Sequence, residues 1–185
     1  LLDTNNWVSY AFLQGLYHRM IAILGDEDCV YKFAISSGRF GSLGLLDSVA
    51  RLIGSPKLVY SQASKYNKLL KLNGDVHIRT LGDSWVIIED RYHSSAQKTR
   101  YDCDYTRGIL VGIPTLFDLP PARVAEIECQ VTSDAYGSRR AWPDAPTHGA
   151  NGCLYRVEWD ARKKRFFGRS AVQKAIEDLQ EANRK

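Results

Sequence analysis

Three cysteines and a pair of acids are the residues of this chain best suited to metal chemistry. Cys103, Cys129 and Cys153 are widely spaced, and the stretch Ala125-Glu126-Ile127-Glu128-Cys129 sets carboxylates beside the middle one. Thiolates with a carboxylate suit a tetrahedral zinc ion. The spacing lacks the paired CxxC of a zinc ribbon, so on spacing alone these residues read first as buried free thiols, since free cysteine is among the most buried residue types. With Cys29 there are four cysteines. In a chain showing no secretory signal, that number argues for metal or free thiols rather than disulfides.

No other chemistry is specific. There is no P-loop, no GxGxxG and no GxSxG. Gly38-Arg-Phe-Gly41-Ser-Leu-Gly44 is glycine-rich but follows no strand, so it reads as a loop. His18, His77, His93 and His148 are scattered, and none sits in a haem-ligand motif. The expectation is a chain without a catalytic constellation, not an enzyme.

The elements that must position the cysteines follow from periodicity. The chain has 185 residues, 44% hydrophobic and 25% charged, which fits one domain with a real core. A helix is expected from about Trp7 to Leu24, capped by Asn6, with Val8, Phe12, Leu16, Met20, Ile23 and Leu24 on one apolar face. A second helical piece covers Cys29 to Ser36. Leu46, Val49, Ala50 and Ile53 mark another, and Ser55-Pro56 restarts the chain as cap and first residue of a helix through Leu70. The period then changes to that of strands, at Val76-Ile78-Thr80 and Trp85-Ile87-Glu89, with Gly82-Asp83 as a two-residue turn. A helix from about Asp104 to Phe117, kinked at Pro114, precedes two more strands, Val124 to Thr132 and Cys153 to Trp159. Ser133 to Gly152 reads as an insertion, longer than a hairpin loop. Together these give an α+β fold: N-terminal helices packed on an antiparallel sheet of about four strands, with a C-terminal coiled-coil-like helix.

The runs Cys103-Asp-Tyr-Thr-Arg-Gly-Ile-Leu-Val-Gly-Ile, Glu126-Ile-Glu-Cys129 and Gly152-Cys153-Leu-Tyr-Arg-Val-Glu-Trp159 resemble the 4-vinyl reductase domain family. That family shares its fold with TRAPP transport-complex subunits and is distantly like haem nitric-oxide sensors. It includes the sensor domains of phenol-responsive activators. The resemblance covers roughly Pro56 to Trp159. It implies a structural zinc held by Cys103, Glu126, Cys129 and Cys153. The family's interval between the last two ligands is much shorter, the difference being the insertion Ser133 to Gly152, within which His148 is an alternative ligand. In a regular strand Glu126 and Cys129 face opposite sides, so both can ligate only across a bulge or bend.

The resemblance also implies a pocket between helices and sheet for a small hydrophobic or aromatic molecule. Trp85, Tyr60, Tyr66, His77 and Phe117 are the candidates to line it, and the alternative is that they fill the core. An enzyme acting on a tetrapyrrole vinyl group is the least favoured reading.

Residues 1–165 are therefore expected to form the sensory domain, with 1–55 its helical, dimerising part. Residues 166–185 would be a signalling helix leading to an output domain such as a kinase, cyclase or transcription activator. Val172, Ile176, Leu179 and Asn183 follow the seam spacing of a parallel coiled coil, which implies a homodimer. The net charge of +4 is concentrated in Arg162-Lys163-Lys164-Arg165, which reads as a solvated face rather than a nucleic-acid or membrane patch. The chain starts at Leu1, and no apolar run reaches the roughly 18 residues of a membrane span. It reads as a fragment of a cytoplasmic protein. The competing class is a TRAPP-like scaffold with no small-molecule ligand.

Overall fold

The computed structural model describes residues 8–37, 54–93, 97–136 and 146–160. The fold is α+β. Helices α1 (Tyr10–Leu24), α2 (Cys29–Ser37), α3 (Pro56–Ser61) and α4 (Ala63–Leu70) precede the hairpin β1 (Gly74–Leu81) and β2 (Trp85–Tyr92). Helix α5 (Arg100–Gly112) runs into a 3-10 segment, Ile113–Phe117. Strand β3 (Arg123–Cys129), the short helix α6 (Ser133–Tyr136), β4 (Thr147–His148) and β5 (Cys153–Glu158) complete it. The sheet order is β1-β2-β5-β3-β4, antiparallel throughout except for β3 beside β4.

Register decides which residues reach the core. Val86, Ile88 and Asp90 on β2 lie opposite Val157, Tyr155 and Cys153 on β5. All six are buried, so this is the inner face of the sheet. Alternate residues Trp85, Ile87 and Glu89 belong to the outer face. The core joins the inner face to Tyr60 of α3, and to Cys103 and Leu110 of α5.

Helix α5 begins four residues before its sequence-expected start. Thr99 and Asp102 form a capping box that places Cys103 inside the first turns. Pro114 ends the α-helical stretch and opens the 3-10 segment rather than kinking a longer helix. Against α5 lies α2, at very short range. A Cβ on Gly108 would sit 2.6 Å from the Ala34 side chain and from the Tyr31 carbonyl, so only glycine permits this crossing.

Helix α1 starts at Tyr10, not Trp7, because the Ser9 side chain takes the Phe12 N–H and leaves Val8 outside. Its buried side is Leu13, Tyr17, Met20 and Ile21, which face Val30, Tyr101 and Tyr105. Of the expected apolar face Met20 packs inward, but Phe12, Leu16, Ile23 and Leu24 are exposed. Asp102 fastens α1 down by accepting from the Tyr10 hydroxyl and the Gln14 amide. The helix expected from Pro56 to Leu70 divides at Gln62, which caps α3 and begins α4. Asn6, the helix expected around residues 46–53 and the C-terminal helix 166–185 lie outside the described residues. Among the described residues, no helix is long and apolar enough to cross a membrane.

Candidate metal centre

Cys103 enters the core from α5, Glu126 and Cys129 from β3, and Cys153 from the start of β5. All four are buried, and their ligating atoms lie within 4.8 Å of one another. The three sulfurs form a near-equilateral triangle with edges of 3.7, 3.8 and 3.9 Å. A tetrahedral ion with metal–sulfur bonds of about 2.3 Å requires sulfur–sulfur edges of about 3.8 Å. The triangle thus has the dimensions of one face of such a tetrahedron, and the carboxylate lies close enough to complete it by a small shift.

The register shows how β3 presents two ligands three residues apart. Glu126 lies opposite Tyr155, and Glu128 lies opposite Leu154, so Ile127 is an extra residue in the ladder. That bulge resets the alternation. Glu126 and Cys129 both face inward, while Ile127 is exposed. The insertion does not displace Cys153. Instead it folds partly beside the site: Tyr136 is buried and packs on the His148 ring at 4.9 Å. His148 Nδ1 is bonded to the Val131 carbonyl at 2.9 Å, so it stands outside the donor cluster.

The electrostatics fit a cation. Glu126 is only 2% exposed, and its Oε1 has no hydrogen-bond partner among the described residues. Burial, then the Cys153 sulfur, pushes its carboxyl from 4.5 up to about 7. The Cys153 thiol is driven below its ordinary range by its hydrogen bonds with Cys103 and Cys129, by Lys98 and by the Gln130 N–H. That N–H lies 3.2 Å from the Cys153 sulfur. Hydrogen bonds with Cys129 and with Cys153, then burial, raise Cys103 well above its ordinary range. The metal-free cluster thus packs three sulfurs and a carboxyl whose acidities are displaced in opposite directions. A divalent ion replaces their protons and satisfies every donor at once, so this cluster can hold a metal ion.

Around the cluster lies a second buried charge group. Asp90, the cross-strand partner of Cys153, is fully buried and accepts from Lys98 at 2.7 Å and from Lys71. The Tyr92 ring lies beneath both ammonium groups, 4.3 Å from Lys71 and 4.8 Å from Lys98. Sequence reading missed this group because its members come from α4's C-terminal cap, mid-β2 and the residue before the α5 cap. Only the fold brings them together. A signal did exist for the capping box, in Thr99-x-x-Asp102.

The candidate ligand residues are not gathered into one site. Tyr60 is fully buried, donates its hydroxyl to the Leu110 carbonyl and packs on Trp159 at 4.8 Å. Trp85 stands on the outer face, its indole over Gly82 and beneath the Arg156 guanidinium. His77 lies opposite Glu89 on that same face and is exposed. Phe117 closes the 3-10 segment, half-buried. Tyr66 belongs to α4. A pocket on the inner face can use Tyr60 but not Trp85 or His77.

No family model matches this sequence, and no curated protein matches it.

Proposed function

We propose that this chain is a zinc-stabilised sensory domain of a bacterial signalling protein. The observation that carries the zinc is the buried Cys103–Glu126–Cys129–Cys153 cluster with its tetrahedral sulfur triangle. Four protein donors leave no open position for a substrate, which suits a structural rather than a catalytic ion. The ion would pin α5 to the middle of the sheet.

The ligand would be a small hydrophobic or aromatic molecule in the layer between α3, α5 and the sheet. Support comes from the Tyr155 hydroxyl, which is buried in that layer with no hydrogen-bond partner among the described residues. An apolar layer with an unpaired polar tip suits a phenol-like molecule. Thermal melting of the zinc-loaded protein with a series of phenols tests this. A rise at saturating phenol supports it, and no shift for any member of the series rejects it.

A specific observation bears on assembly. Phe12, Leu16, Ile23 and Leu24 of α1 and Phe33 of α2 are exposed. Large exposed apolar faces mark interaction surfaces. We assign this one to a second copy of the chain, in keeping with a dimeric relay to an output domain. A scaffold role is the second reading, and a stable complex with a different protein through this face would favour it.

A further inference from the structure

The charge group beside the cluster has a task that the four ligands alone do not explain. Three thiolates and one carboxylate around a divalent ion carry two net negative charges. Buried without compensation, that excess costs several kcal/mol. Lys98 is the compensating group best placed to meet it. Its side chain is 1% exposed, and it donates at 2.7 Å to Asp90, the cross-strand partner of Cys153. Asp90 faces inward directly across from Cys153. Burial pulls the Lys98 ammonium down, but Asp90, Cys103 and Cys153 together hold it well above its usual range. It also favours the charged forms of Cys153 and Glu126.

Why is Lys98 held by Asp90, and Asp90 by a second lysine? A Lys98–Asp90 pair is neutral overall, but the fully buried Lys98 keeps its charge unscreened, whereas part-exposed Lys71 is screened by solvent. Lys71 makes the trio Lys71–Asp90–Lys98 net positive. Lys71 is part-exposed, at 19%, and caps α4. Asp90 thus orients Lys98, and Lys71 is its weaker, solvent-screened second partner.

We propose that Lys98 is a retention-determining residue of the metal centre: a fixed, buried counter-charge that stabilises the anionic tris-thiolate–carboxylate complex without ligating the ion. The proposal rests on the metal reading above. Outer-sphere partners of metal ligands typically change affinity by about 10- to 100-fold when removed.

The test is zinc competition against a colorimetric chelator, with the unfolding midpoint of the chelator-stripped protein measured alongside. Lys98→Gln keeps a donor for Asp90 and removes the charge. It should weaken zinc retention at least about tenfold, whereas Lys71→Met, which strips the other donor from Asp90, should cost less than about threefold. Lys98→Met is the second variant, read in the same way should the glutamine variant not fold. Unchanged retention in either folded Lys98 variant overturns the proposal. So does an equal loss in the Lys71 variant, because the effect would then pass through Asp90 and general stability. Absence of zinc from the wild-type protein overturns the metal reading itself, a result distinct from both.

Discussion

Glu126 makes the metal-free protein sensitive to pH in an unusual direction. A carboxyl raised from 4.5 to about 7 on folding binds its proton more tightly in the folded chain. Its stabilising contribution is complete below about pH 4.5, the unfolded value, and is lost as pH rises through 7. At about 1.4 kcal/mol per unit of pKa, the interval from 4.5 to about 7 corresponds to about 3 kcal/mol. Chelator-stripped protein should therefore lose about 3 kcal/mol from this group between pH 4.5 and pH 8. Glu126→Gln should remove that component, and zinc should abolish it by taking the proton's place. The assay is urea unfolding at several pH values for wild type and Glu126→Gln, each with chelator, plus wild type with zinc. Other groups titrate in both chains, so the difference between the two curves isolates Glu126. Parallel pH curves for wild type and Glu126→Gln would refute the reasoning, since the carboxyl would then be neither buried nor displaced in pKa.

Other outcomes follow from the same packing. Chelator should lower the melting temperature of the loaded protein by about 10 °C, from a binding contribution of about 4 kcal/mol at a thousandfold excess of zinc over Kd. Differential scanning calorimetry reads this directly. Gly108→Ala should cost about 2 kcal/mol in urea unfolding, because the new methyl meets Ala34 and the Tyr31 carbonyl at 2.6 Å. Asp102→Ala removes the α5 capping box and the acceptor for Tyr10 and Gln14. It should cost about 2 kcal/mol and speed amide exchange across α1 selectively. Phe12→Glu on the exposed face of α1 should convert a dimer to a monomer in solution scattering, without lowering zinc content.

The sequence carried the sheet-forming segments and the cysteine set more clearly than the helix faces. Period-two patterns located β1, β2, β3 and β5 to within a few residues. The requirement for a bulge between Glu126 and Cys129 could be stated from strand geometry, and the extra residue is Ile127. The two-residue strand β4 could not be read, because it is defined by pairing with Glu128 and Cys129 rather than by its own composition. Helix α1 is apolar nearly all round, so periodicity selected the wrong stripe. The Asp102 contacts to Tyr10 and Gln14 decide which side faces inward. The family resemblance made Trp85 a pocket candidate. The register of β2 against β5 puts it on the outer face, one residue from the buried Val86. The Lys71–Asp90–Lys98 group was invisible for a related reason: burying two lysines with one aspartate contradicts each residue's ordinary preference, and only their mutual pairing permits it.

Metal occupancy is the most direct measurement. Protein purified without chelator and analysed by mass spectrometry under native conditions should carry one zinc ion per chain. Cys103→Ser and Cys153→Ser, which remove a ligand from α5 and from β5, should each carry far less. Wild-type protein well below one zinc per chain, or variants that retain it fully, would contradict the central claim that these four residues form a metal centre.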